Sequence, residues 1–238
     1  MTVIGVLSVK HAPGATTAVV AIATASAADA VVVECDPAGG DIAARGHLAV
    51  EPGLVSLAAA GRHPTSHLDL LGHSQHLPTG VPVVVAPTAP EQAAGAVAAL
   101  ASRLPDAIRS AGVPGVIDLG RWTNTTSANA ALAGCDEALV AIEPTVAGVE
   151  HLRTRLHGIR TVCPVVSVLL IGERPYGRAD VESVLEAPVA GVIVVDARGV
   201  ALLYRGPRAS ARRSALVRSA AVAAPLHNDD LSISGANR

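Results

Sequence analysis

Phenylalanine is absent from the 238 residues, which include one tryptophan, two tyrosines and one methionine. A core without large aromatics closes through small aliphatic side chains, which suits helices packed closely on a sheet. The same shortage excludes a base-stacking nucleic-acid module, whose platforms are aromatic. Excess charge of one sign is also missing: the formal net charge is −2, so any contact with DNA or acidic lipid must be local. The three cysteines, Cys35, Cys135 and Cys163, form no C-x-x-C pair, which fits a reducing compartment and buried thiols. No uninterrupted apolar run reaches the roughly 18 residues of a membrane span. A secretory leader is not expected either, because mostly apolar residues precede Lys10, and Pro13-Gly14 stand where a leader's apolar segment should begin. The expected location is the cytoplasm.

Lysine is nearly missing too. Of 18 lysine and arginine residues, 17 are arginine and one is lysine, Lys10. That residue lies in the most informative stretch of the chain. Val3 to Val9 reads as an apolar strand; Lys10-His11-Ala12-Pro13-Gly14-Ala15-Thr16-Thr17 follows as a Gly/Pro loop with two hydroxyls, and an Ala/Val run through Ala28 suits a helix. This is the layout of a phosphate-binding loop, in which backbone N–H groups and a helix N-terminus face an anion and a first-turn hydroxyl holds Mg²⁺. Against the pattern G-x-x-x-x-G-K-S/T, Gly14 and Thr16 fall in register, whereas Val9 takes the first glycine position and Ala15 the lysine position.

Beyond the first helix, Ala30 to Cys35 reads as a buried strand opening into Asp36-Pro37-Ala38-Gly39-Gly40-Asp41. Strand carboxyl ends are where ligands bind in open parallel sheets, so Glu34, Asp36 and Asp41 are placed for function; capping of the next helix is the other reading of the aspartates. Pro52 to Gly80 reads as a helical insertion containing His63, His67, His73 and His76, with no cysteine or paired carboxylate to complete a metal site. Val81 to Ala86 is the next strand and Glu91 to Leu104 an Ala-rich helix. Val113 to Gly120 is an apolar strand ending in Asp118-Leu119-Gly120, the form of a segment whose carboxylate holds a Mg²⁺-bound water. Arg121 follows, either as a phosphate contact or as a surface residue. Ala130 to Pro144 reads as helix then strand, and Pro164 to Ile171 and Pro188 to Val195 as strands flanking a helix at Arg178 to Leu185.

The ordered set resembles the ParA/MinD family of partition and positioning ATPases over about residues 2 to 223. Lys10-His11-Ala12-Pro13-Gly14-Ala15-Thr16-Thr17 resembles the family loop K-G-G-x-G-K-T-T, with Lys10 at the signature lysine; Asp36 matches the second acid of its D-x-D-P motif, Glu34 replacing the first; Asp118 matches the acid of its h-h-h-D-x-P-P motif. The resemblance implies ATP/ADP with Mg²⁺ as ligand. Lys10, Pro13, Gly14, Ala15, Thr16 and Thr17 would form the nucleotide contacts, Thr16, Asp36 and Asp118 the Mg²⁺ site, and Lys10, Asp36 and Asp118 the catalytic set. It also implies a homodimer in which Lys10 crosses to the partner's phosphates. With Ala15 in place of the loop lysine, the expected hydrolysis is weak or absent. The expected role is a positioning or regulatory component of a larger partition, secretion or pilus assembly. A working ATPase with Lys10 or Arg121 replacing the lost lysine, and a nucleotide-free scaffold, are the alternatives.

The expected fold is a single α/β domain over 1–225, a doubly wound, mostly parallel sheet with helices on both faces, followed by a polar tail over 226–238. Family members place an asparagine after the strand that here ends Ile171-Gly172-Glu173. Helical segments Asp196 to Tyr204 and Ala209 to Ala223 carry Arg205, Arg208, Arg212, Arg213 and Arg218, the one dense basic cluster. It reads either as a non-specific DNA or acidic-lipid contact or as a solvated helix face. The tail His227 to Arg238 lacks the pattern of an amphipathic membrane-binding helix.

Overall fold

The structure, a computed structural model, describes residues 1–10, 14–63, 66–223 and 226; Pro13 of the loop and the tail from His227 lie outside them. Eight strands form one sheet: β1 (Val3–Ser8), β2 (Val31–Glu34), β3 (Gln75–His76), β4 (Pro82–Val84), β5 (Gly115–Arg121), β6 (Glu137–Ile142), β7 (Val166–Ile171) and β8 (Val189–Ile193). Their order is β3-β4-β2-β5-β1-β6-β7-β8. Every pairing is parallel except that of the edge strand β3 with β4. This is the expected doubly wound sheet.

Side-chain alternation divides β1 between two cores. Val3, Leu7 and Val9 join one cluster, while Ile4 and Val6 join the cluster on the opposite face. Both faces of every central strand are therefore apolar, which is why these strands read as continuous Val/Ile/Leu runs. Helix Ala15–Ala25 lies between the sheet and the C-terminal helices Ala197–Arg205, Arg208–Arg212 and Ala215–Ala223, and is buried at all its positions except Thr16 and Ala25. A helix buried all round needs small residues to approach its neighbours closely, and its sequence ATTAVVAIATA supplies them. The alanine richness of the chain follows from this sandwich.

Several element boundaries differ from expectation for local reasons. Among the described residues from Pro52 to Gly80 only Leu54–Ala60 is helical, and Gln75–His76 forms the edge strand β3. Arg103 latches this region, donating to the carbonyls of Gly61 at 2.6 Å and Ser66 at 2.5 Å. The single helix expected over Glu91 to Leu104 is Pro90–Leu100, a 3₁₀ turn and a new helix Leu104–Ser110 with Pro105 in its first turn. Likewise Ala209 to Ala223 divides at Ser214, whose hydroxyl accepts from the Val217 N–H at 3.2 Å and so starts a fresh helix. Two helices not anticipated, Val146–Arg153 and Leu156–Val162, carry the crossover between the parallel strands β6 and β7.

No helix among the described residues is long and apolar enough to cross a membrane. The three thiols are free; Cys35 and Cys163 are buried and Cys135 half-buried.

Candidate functional site

The carboxyl end of β1 is the switch point of the sheet. β5 lies on one side and β6 on the other, and connections leave toward opposite faces, which opens a crevice there. Lys10 follows β1 into this crevice, half-buried. Gly14, at φ 104°, turns the chain into helix Ala15–Ala25. A methyl group at Gly14 would meet only Ile171 Cγ2 at 3.6 Å, so the glycine is required by backbone conformation rather than by space. Among the described residues no side chain caps this helix, and no acid stands in its first turn. Its N-terminal N–H groups and positive dipole end are left for an anion.

Thr16, in the first turn of helix Ala15–Ala25, lies near enough to Asp118 on β5 to lower the pKa of its carboxyl. The Asp118 carboxylate accepts from the Gly120 N–H at 3.1 Å. Asp118 is only 3% exposed, and burial pushes its carboxyl up from 3.8 to about 6 against the lowering effect of Thr16 and the Gly120 N–H. A hydroxyl near a buried carboxylate is an oxygen donor set of the kind that Mg²⁺ takes.

Asp36 stands beside them at the end of β2. Its Oδ1 accepts the Ala38 N–H at 2.8 Å, and burial raises its pKa. The Cys35 N–H donates to the Asp118 carbonyl at 2.7 Å, holding the two strand ends together. Gly120 makes this approach possible: at φ 64°, a side chain there would place Cβ 2.0 Å from Asp36 Cγ. The glycine that replaces the family's first proline is thus a packing requirement.

Glu34 has a different task from the acid it replaces. It is 2% exposed; its Oε1 accepts the N–H groups of Asp41 and Ile42, each at 2.8 Å, and its Oε2 accepts that of Ala86 at 2.9 Å. Glu34 therefore clamps the loop after β2 to the loop after β4 and starts helix Ile42–Gly46. Burial outweighs these three donors and pushes its carboxyl from 4.5 up to about 7.

That short helix delivers a residue the sequence did not mark. Arg45 Nη1 lies 3.3 Å from the hydroxyl oxygen of Thr17, its Nη2 pairs with Asp41 Oδ2 at 3.2 Å, and its guanidinium carbon sits 5.8 Å from the centroid of the Tyr204 ring. Ala15, in the position of the missing lysine, is buried and carries no charge. Arg121 is exposed, its Cα in register with that of Ser8 on β1.

Two members of the basic cluster are committed elsewhere. Arg208 donates to Asp29 Oδ1 at 2.8 Å and to the Ser26 carbonyl at 3.3 Å. Arg212 donates to the carbonyls of Thr24 at 3.0 Å, Ala25 at 2.9 Å and Ser26. Both cap the carboxyl end of helix Ala15–Ala25. Arg205 and Arg213 are exposed. Among the described residues no group of three histidine, cysteine or acidic side chains is arranged to hold a metal; His73 Nδ1 instead pairs with the Ser56 hydroxyl at 2.8 Å.

The sheet order and the strand–loop–helix at β1 are those of a P-loop NTPase-like α/β fold, and comparison with solved structures narrows the fold class. A ParA family ATPase from Chlorobium tepidum TLS superposes with a TM-score of 0.73 at 16% identity, over 92% of this chain and 96% of that one. The septum site-determining protein MinD from Pyrococcus horikoshii OT3, complexed with Mg-ADP, gives 0.62 at 16% identity over 98% and 96%. A chain of the MinC:MinD cell division protein complex from Aquifex aeolicus gives 0.68 at 15% over 97% and 95%. No family model matches the sequence, and no curated protein matches it. The chain has the fold of the ParA and MinD ATPases.

Proposed function

We propose that this protein is a ParA/MinD-like nucleotide switch that binds ATP or ADP with Mg²⁺, hydrolyses ATP weakly or not at all, and serves a larger partition, secretion or pilus-type assembly. The observation that carries the reading is the buried Asp118 carboxyl beside Thr16, next to a left-handed Gly14 that opens a helix N-terminus with no side-chain cap among the described residues. Gly14, Thr16 and Thr17 line the phosphate side, Thr16 and Asp118 hold Mg²⁺ partly through water, and Asp36 orders water beside it. Bound Mg²⁺ supplies charge that neutralises the phosphates. Slow turnover follows from Ala15, because phosphoryl transfer depends on positioned positive charge.

Lys10, half-buried after β1, takes the part of a cation that crosses to a second copy, so nucleotide and dimerisation are coupled. Support comes from the solved relatives, one described as complexed with Mg-ADP and one a chain of the MinC:MinD complex. Light scattering with and without Mg·ATP tests the coupling. The mass should double with nucleotide and stay monomeric in Lys10→Ala; a wild-type mass that ignores saturating Mg·ATP contradicts it.

A further inference from the structure

We infer that Arg45 is the cation that replaces the missing loop lysine in cis, contacting a phosphate of the bound nucleoside di- or triphosphate. The inference rests on the nucleotide reading above and names the residue that makes it workable. Ala15 leaves the helix-start position of the loop without a charge, and Lys10, the loop's one cation, is assigned to the partner's phosphates. A second positive group within the subunit is therefore needed to bind a polyanion.

Arg45 meets that need by position. Thr17 is the third residue of the helix whose N-terminus faces the phosphates, and Arg45 Nη1 lies 3.3 Å from its hydroxyl oxygen. Two further contacts hold the guanidinium: Asp41 at 3.2 Å and the face of Tyr204, 5.8 Å from the ring centroid. An arginine held in this way loses little conformational freedom on binding a ligand. Its five N–H donors exceed the two hydrogen bonds described, and its side chain is 43% exposed. The remaining donors have no hydrogen-bond partner among the described residues and are available to phosphate oxygens. Glu34 contributes indirectly, since the N–H groups it accepts belong to Asp41 and Ile42, at the start of the turn that carries Arg45.

The alternative role is structural, with Arg45 only tying helix Ile42–Gly46 to helix Ala15–Ala25. Calorimetric affinity for Mg·ADP separates the two in the full chain, comparing wild type with Arg45→Ala, Arg45→Lys, Ala15→Lys and the double variant Arg45→Ala/Ala15→Lys. A phosphate contact predicts a loss of about tenfold or more in Arg45→Ala, a smaller loss in Arg45→Lys, and recovery in the double variant, where the loop regains its lysine. Unchanged affinity in Arg45→Ala, or a loss that Ala15→Lys does not recover while thermal midpoints stay level, overturns the inference and leaves the nucleotide reading standing. A wild-type chain that takes up no Mg·ADP instead removes the nucleotide reading, and the inference with it.

Discussion

Glu34 and Asp118 stand opposite each other in the register of β2 and β5, two buried carboxyls on adjacent strands at the mouth of the same crevice. Burial is the largest cause of the raised pKa at both, and nearby acids add to it: Asp118 at Glu34, Asp36 and Asp41 at Asp118. Glu34 is pushed from 4.5 to about 7 and Asp118 from 3.8 to about 6. Because the folded values lie above the ordinary ones, the protonated forms favour the fold. Their stabilisation is fully present below the ordinary values of 3.8 and 4.5 and is lost as pH rises through about 6 and then about 7.

The nucleotide-free protein should therefore melt at progressively lower temperature from pH 5 to pH 8, by an amount corresponding to a few kcal/mol at roughly 1.4 kcal/mol per pKa unit. Glu34→Gln should flatten the upper part of that profile. It should also lower stability throughout, because the amide NH₂ turns a second donor on either Ala86 or the Asp41/Ile42 pair. A scanning-calorimetry series across this pH range checks both; a midpoint that rises with pH contradicts the account.

Two glycines in the same backbone region give an internally controlled test of the Asp36 approach. A methyl group added at Gly112, φ 73°, would meet nothing within 4 Å, whereas one at Gly120, φ 64°, would lie 2.0 Å from Asp36 Cγ. Gly112→Ala should cost only the left-handed strain, about 1 kcal/mol. Gly120→Ala should cost clearly more by urea denaturation, about 2–4 kcal/mol, and should weaken Mg²⁺-dependent nucleotide binding. Equal costs at the two positions would mean that Asp36 moves aside freely.

Arg212→Ala removes donors to three carbonyls at the end of helix Ala15–Ala25. It should destabilise the protein by about 1–2 kcal/mol in chemical denaturation. Retention on heparin or non-specific DNA should change little, since the guanidinium is already engaged; Arg205→Ala/Arg213→Ala should reduce any such retention with little effect on stability. A salt-sensitive DNA shift abolished by Arg212→Ala alone, at wild-type stability, would restore the interface reading of that residue.

The central strands and the order of the acidic motifs were legible because a parallel sheet buried on both faces writes itself as apolar runs that end in polar loops, as at Val31–Glu34 and Gly115–Arg121. Gly14, Thr16, Asp36 and Asp118 were legible for the same reason, each being fixed by distance from a strand end. Glu34 was not, since its role depends on Ala86, 52 residues away in the chain. Arg45 was hidden likewise: Thr17 lies 28 residues before it and Tyr204 comes from a C-terminal helix. Composition counted Arg208 and Arg212 as a basic patch because the carbonyls they cap, at Thr24 to Ser26, have no signature in sequence. Helix breaks at Leu104 and Ser214 turned on single local residues within otherwise continuous helical patterns.

The most direct test of the central claim is calorimetric titration of the full chain with Mg·ATP and Mg·ADP, repeated with Asp118→Asn and with EDTA in place of Mg²⁺. The account predicts saturable binding of one nucleotide per chain that weakens about tenfold or more when either the carboxylate or the metal is removed. Absence of heat across the millimolar range, or binding that is indifferent to both Asp118 and Mg²⁺, would contradict it.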